Sequence, residues 1–328
     1  MIARAIGLKN NKTTLLLLII IAIFFAGLRG DIGTDVIAYR RYYDDVGARD
    51  VNVVFEPIFL ILSLLGNAAN LSSQFLIFSV AALQGFFIFQ IVKRIEESDL
   101  FYLLLIATFF VYLQMNLIRV GLALCIVSFA LALKLEQKKS VVPLFILGIL
   151  THVTAVFALP LFSKRWYKAI PILIVAVFVF QDFFLNKVIA YFSNEDSIRG
   201  EKEYVGIGFL LSLAIIAYCI TVEKKWTNRA IFISFFAFGI FKIAITLFPA
   251  FDRISQIYSM PLFLLLLYGR VKPQTRLALL ILIAYNTYGS LSFIVNSDAA
   301  MDALISDNPS FALNYADAKW LPYEFFWN

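Results

Sequence analysis

The sequence predicts an all-α, polytopic membrane protein, and three observations carry that prediction. Of 328 residues, 61% are hydrophobic and only 15% charged, against roughly half and a quarter in soluble domains, and the mean hydropathy is +0.84. Apolar runs long enough to cross a hydrocarbon core, about 20 residues each, recur along the whole chain. The basic residues fall in short clusters between those runs, which is how cytoplasmic loops of membrane proteins are charged.

Taken in order, the candidate spans are 13–28, 75–92, 101–118, 120–134, 141–162, 168–185, 204–222, 229–248, 252–268 and 276–295, with 57–66 a marginal apolar stretch. The first follows Arg4, Lys9 and Lys12, as the apolar region of a signal peptide would, but no small-residue cleavage site comes after it. It reads as an uncleaved span entering from the cytoplasm. The later basic clusters are Lys93/Arg94, Lys134/Lys138/Lys139, Lys164/Arg165/Lys168, Lys224/Lys225/Arg229 and Arg270/Lys272/Arg276. All lie on the cytoplasmic side if 57–66 dips without crossing and 141–162 enters and returns, which gives nine crossings. With eleven crossings, two basic loops face outward against the rule. Both arrangements make the chain one integral membrane domain over 1–328, with external loops at 29–56 and 186–203 and an external tail at 296–328.

Composition removes several functions. The net charge of +6 is spread over membrane loops and not along one phosphate-tracking face, so no nucleic-acid partner is expected. Cys125 and Cys219 both sit inside apolar runs, without disulfide or metal spacing. One histidine in the chain excludes a His-rich metal site. The 34 phenylalanines read chiefly as lipid-facing filler.

Against this apolar background, five segments concentrate polar chemistry. "LRGDIGTDVIAYRRYYDD", 28–45, places Gly30 and Gly33 beside the membrane surface, then turns helical. Asp35, Tyr39 and Tyr42 follow at i, i+4 and i+7, so an acid and two phenols share one face, suited either to a sugar or to interfacial anchoring. Glu56 precedes Pro57 at the start of a helix, where it either complements the helix dipole or supplies a second carboxylate at the external mouth. Arg119, in "MNLIRVGLALC", begins a continuous apolar helix; a charge at membrane depth costs a few kcal/mol, roughly, and faces a partner or an aqueous cavity unless it snorkels. His152, in "GILTHVTAVFALPLF", stands in a segment with no other ionisable group, flanked by Thr151 and Thr154. It is either a satisfied core residue or part of a broken helix lining a cavity. Asp252 and Arg253 open the 252–268 span, either as a cap or with Arg253 as a second guanidinium for a diphosphate, whose oxygens it can bind bidentately.

These segments, in this order, resemble the EpsG-like branch of the Wzy polysaccharide polymerases. The likeness lies in "RGDIGTDVIAYRRYY", "EP" at 56–57, "NLIRVGLAL", "LTHVTAVFALP", "FDRISQIYSMPLFLLL" and the terminal "WLPYEFF", over about residues 10 to 325. Val120 and Val153 stand where the family commonly has Gln and a second polar residue. The resemblance implies a glycosyltransferase at the external face of the bacterial cytoplasmic membrane; with no metal-ligand cluster visible in the sequence, it is expected to work without a metal or cofactor. It would transfer a glycan from an undecaprenyl-diphosphate carrier onto a lipid-linked repeat unit. The bilayer and a chain-length-regulating membrane protein are the further partners it implies. On this expectation Arg119, Arg253 and Arg29 meet the diphosphate charge, Tyr39, Tyr42 and Glu56 bind sugar, and Asp35 or His152 activates the hydroxyl, with Asp35 preferred as base. An O-antigen ligase and a flippase of lipid-linked oligosaccharide are the alternatives; no inverted repeat supports the flippase.

Overall fold

The computed structural model describes residues 12–29, 36–48, 56–137, 141–169, 171, 207–244 and 250–307. Helices make up its regular structure, with no strand among the described residues. They are α1 (Lys12–Gly27), α2 (Val36–Ala48), α3 (Pro57–Ala68), α4 (Gln74–Val92), α5 (Ser98–Leu105), α6 (Ile118–Leu135), α7 (Val141–Thr151), α8 (Leu159–Phe162), α9 (Ile207–Val222), α10 (Arg229–Ala244), α11 (Ala250–Leu267) and α12 (Pro273–Asp307). A π-helix, Ile106–Asn116, continues α5, and 3-10 turns occupy Val153–Ala158 and Trp166–Ala169. This is an all-α membrane protein. Two of its helices, Gln74–Val92 and Ile118–Leu135, are long and apolar enough to span a bilayer individually.

The basic clusters gather at one end of the bundle. Arg94 pairs with Glu136 at 3.4 Å, and Arg276 meets both carboxylate oxygens of Glu97 at 2.6 Å. Lys225 donates to Leu266 O at 2.7 Å, while Thr275 donates to Glu223 at 2.6 Å. α1 packs antiparallel to α4, with Gly27 against Phe78 and Ile23 against Gly85, so its Lys12 end lies at this basic end too. Lys138 and Lys139 lie outside the described residues.

Two segments return to the end they came from. Lys134, at the basic end of α6, donates to the carbonyls of Leu161 and Phe162 at 2.8 and 2.7 Å. Arg229 donates to Ser163 O at 3.3 Å. The chain therefore climbs along α7, breaks at His152, and comes back down through the 3-10 turn and α8. Conversely, α3 starts at Glu56 and finishes beside the opposite end. There Tyr43 donates to Leu71 O at 2.7 Å and Asn67 to Tyr43 O at 3.0 Å, next to Gln74 at the start of α4. Asn70, in the left-handed region at φ 53°, lets Leu71 N–H return to Gly66 O at 2.9 Å and close that turn.

Two boundaries differ from the sequence reading. The 101–118 span is an α-helix only to Leu105, then widens into the π-helix. The last helix does not stop at 295 but runs to Asp307, within the expected tail. The expected span at 168–185, the loop at 186–203 and most of the tail lie outside the described residues.

Candidate active site

The polar segments converge where α2, α3, α6 and the α7 break meet. α6 begins at Ile118, and Gln84, ten residues into α4, donates to Ile118 O at 2.9 Å. The start of α6 is thus set below the outer, Gln74 end of α4, and Arg119 with it. Gly121 makes this possible, because a Cβ there would lie 2.5 Å from Leu113 O on the π-helix backbone.

Glu56 occupies the N-cap position of α3 but makes no side-chain cap there. Its backbone carbonyl accepts from Phe59 and Leu60 N–H at 3.0 and 3.3 Å, and its side chain turns to Arg119. Nη1 of Arg119 donates to Oε2 of Glu56 at 2.7 Å. Oε1 of Glu56 lies 3.7 Å from Nε2 of His152. Glu56 and His152 are 4% and 3% exposed, and the Arg119 side chain 15%, so Arg119 gives the cluster its open face.

His152 has extended backbone, φ −158° and ψ 127°, which ends α7. Thr151 satisfies itself within the helix, donating to Leu147 O at 2.8 Å. Nδ1 of His152 accepts from the Thr154 N–H at 3.3 Å and lies 2.7 Å from Thr154 Oγ1. An accepting Nδ1 leaves the proton of the neutral ring on Nε2, facing Glu56; this tautomer is assigned from the network.

Tyr39 and Tyr42 are the wall of the cluster, both buried on the inner face of α2. The Arg119 guanidinium carbon stands 5.7 Å from the Tyr39 ring centroid, within cation–π range, and Phe59 backs that ring at 6.1 Å. Burial, with Glu56 adding to it and Arg119 opposing, pushes the Tyr42 hydroxyl up to about 12. Tyr42 therefore stays a neutral hydrogen-bond donor at physiological pH.

The remaining candidates are placed differently. Asp35 lies outside the described residues. Arg29 is fully buried, and its Nη1 donates to Ala26 O at 2.8 Å and Gln114 O at 3.4 Å, which ties the end of α1 to the π-helix. Arg253 sits on the first turn of α11 beside Asp252, which pairs with Lys242 of α10 at 2.7 Å. Tyr258 of α11 donates to Phe157 O. Counting about 1.5 Å per α-helical and 2.0 Å per 3-10 residue from that bond puts Arg253 and His152 at similar heights. Lys242 and Gln84 were not singled out in the sequence. The signal for Lys242 was available, as a cation inside the 229–248 apolar run. Among the described residues no group of three or more His, Cys, Asp or Glu side chains could hold a metal ion.

A buried carboxylate–guanidinium pair is a poor source of stability, since desolvating each ion costs several kcal/mol, roughly, before the attraction repays it. Its persistence inside an apolar bundle points to chemistry. What the arrangement can do is present a planar cation, an oriented carboxylate and two phenols to an anionic, hydroxyl-bearing ligand. No curated protein and no solved structure matches the chain. A model of the EpsG family, however, matches residues 12–308 and so takes in every described element of this cluster. The chain belongs to the EpsG family, which supports a polysaccharide polymerase-like role.

Proposed function

We propose that this protein is a polysaccharide polymerase of the Wzy type. It transfers a growing glycan from an undecaprenyl-diphosphate carrier onto a lipid-linked repeat unit at the external face of the bacterial cytoplasmic membrane. The observation that supports it best is Arg119, a guanidinium set below the end of the bundle and coupled to Glu56, His152 and Tyr39. A diphosphate leaving group needs its charge met by preorganised donors, and the guanidinium fork suits phosphate oxygens. Tyr39 and Tyr42 give a sugar its aromatic and hydrogen-bonding wall. A carboxylate activates the acceptor hydroxyl: Asp35 on the sequence reading, with Glu56, beside Arg119, a second candidate.

Orientation follows from charge. The positive-inside rule puts the basic end in the cytoplasm, with the N-terminus, so the α2–α3 side faces outward. A lipid-linked substrate then reaches the site with its sugars in water and its tail in the bilayer. Deletion of the gene followed by gel analysis of the glycan tests the reading. A polymerase null leaves single repeat units on the lipid, whereas loss of a ligase or flippase removes the polymer together with its single-unit form at the surface.

A further inference from the structure

We propose that Glu56 is the proton acceptor of this transfer and His152 its positioning residue, Glu56 holding Arg119 only until a diphosphate takes its place; this rests on the polymerase reading above. Three features of the cluster carry it. Each oxygen of Glu56 has its own neighbour, Oε2 the Arg119 guanidinium at 2.7 Å and Oε1 the His152 ring at 3.7 Å. The guanidinium already meets a carboxylate oxygen through one N–H, and a more anionic diphosphate, which its fork can bind through two, displaces it. Arg119 is the most exposed member of the three, so a ligand meets it first.

The second feature is the histidine. With Nδ1 accepting from the Thr154 main chain, neutral His152 points an N–H at Glu56 and offers no acceptor to a sugar hydroxyl. It is arranged to orient a carboxylate, the reverse of the arrangement in which a carboxylate orients a histidine base. The third is placement. Glu56 does not cap α3, so its side chain is held by the site and not by the helix terminus.

The step balances as follows. The acceptor hydroxyl gives its proton to the Glu56 carboxylate released from Arg119. The hydroxyl oxygen forms a bond to the anomeric carbon of the donor glycan. The bond from that carbon to the diphosphate oxygen breaks, and its electron pair stays on the diphosphate, where Arg119 meets the charge. The proton then leaves Glu56 to water, and Glu56 pairs with Arg119 again as the carrier diphosphate departs. Tyr42, pushed up to about 12, remains neutral throughout.

The test uses purified full-length protein in lipid nanodiscs with a lipid-linked repeat unit, reading chain extension and, separately, binding of inorganic diphosphate. Wild-type protein must extend chains; if it does not, the polymerase reading fails and not this one. Glu56→Gln should lose extension by roughly 100-fold or more, the range for a removed general base, and bind diphosphate at least as tightly as wild type because the competing charge is gone. His152→Ala should slow extension, and His152→Gln, which restores an N–H toward Glu56, should recover most of it. Extension by Glu56→Gln near the wild-type rate overturns the proposal. So does weakened diphosphate binding in Glu56→Gln.

Discussion

Removing the Arg119 charge gives the sharpest check on the buried cluster. Arg119→Met keeps most of the side-chain length and leaves Glu56, 4% exposed, without the guanidinium 2.7 Å from Oε2. His152, 3.7 Å from the other oxygen, is a weak substitute. Stripping one partner from a buried pair costs about 3–5 kcal/mol, against about 0–1 for a solvated surface pair. The stacking of Arg119 on Tyr39 adds about 0.5–2 kcal/mol to the loss. Adding Glu56→Gln to Arg119→Met removes the stranded charge, so the double variant should regain most of the carboxylate share of that loss. Glu56→Gln alone should cost less than Arg119→Met, because its amide oxygen still accepts from Arg119. Unfolding in mixed micelles titrated with an anionic detergent, followed by helical circular dichroism, reads all four proteins of the cycle. Additive effects, with Arg119→Met costing under about 1 kcal/mol, would show a solvated pair and refute the argument from burial.

Arg119→Lys keeps the charge but not the planar fork, so it should fold near wild type and lose chain extension by about 10- to 100-fold, one or two hydrogen-bond increments; normal long-chain glycan would rule out the clamp. Gly121→Ala places a methyl 2.5 Å from Leu113 O, a backbone atom that cannot swing away, so it should displace the start of α6 and cost about 1–3 kcal/mol, with extension falling alongside thermal stability in detergent. Cysteines at Asp44, exposed on α2, and at Arg270, whose side chain is 91% exposed at the basic end, should label from outside and inside the cell respectively; the reverse pattern would invert the proposed orientation. Tyr42, pushed up to about 12, should show no phenolate absorbance near pH 10, where an exposed tyrosine is half ionised; comparison with Tyr42→Phe isolates its signal.

Much of this molecule was legible in the sequence because the bilayer imposes strict local rules. Hydrocarbon demands apolar runs with internally bonded backbone, so helices and their approximate limits follow from hydropathy alone. Asp35, Tyr39 and Tyr42 at helical spacing announced α2, and the structure has it at Val36–Ala48 with both phenols on the buried face. Charge at membrane depth is costly enough that Arg119 stood out, while Glu56 was marked by its place before Pro57 and His152 as the one ionisable group of its segment. What no local pattern could supply was their meeting. Glu56 and Arg119 are 63 positions apart, and only the packing of α3 against α7, and of α6 against α4 and α7, sets their distance. The His152 tautomer depends on Thr154 two residues on, but its direction depends on α7 breaking beside α3. The π-helix was hidden for the same reason: Ile106–Asn116 has ordinary helical composition, and its widened turns meet partners remote in sequence, Arg29 on Gln114 O and Ser290 on Ala107 O at 2.9 Å. Lys242 and Asp252 had to be folded into the α10–α11 hairpin before either read as a pair. Sequence determined which residues the membrane would tolerate only for a reason; tertiary packing decided which of those residues could touch, because contacts in an apolar bundle are fixed by the shapes of helix faces and not by spacing along the chain.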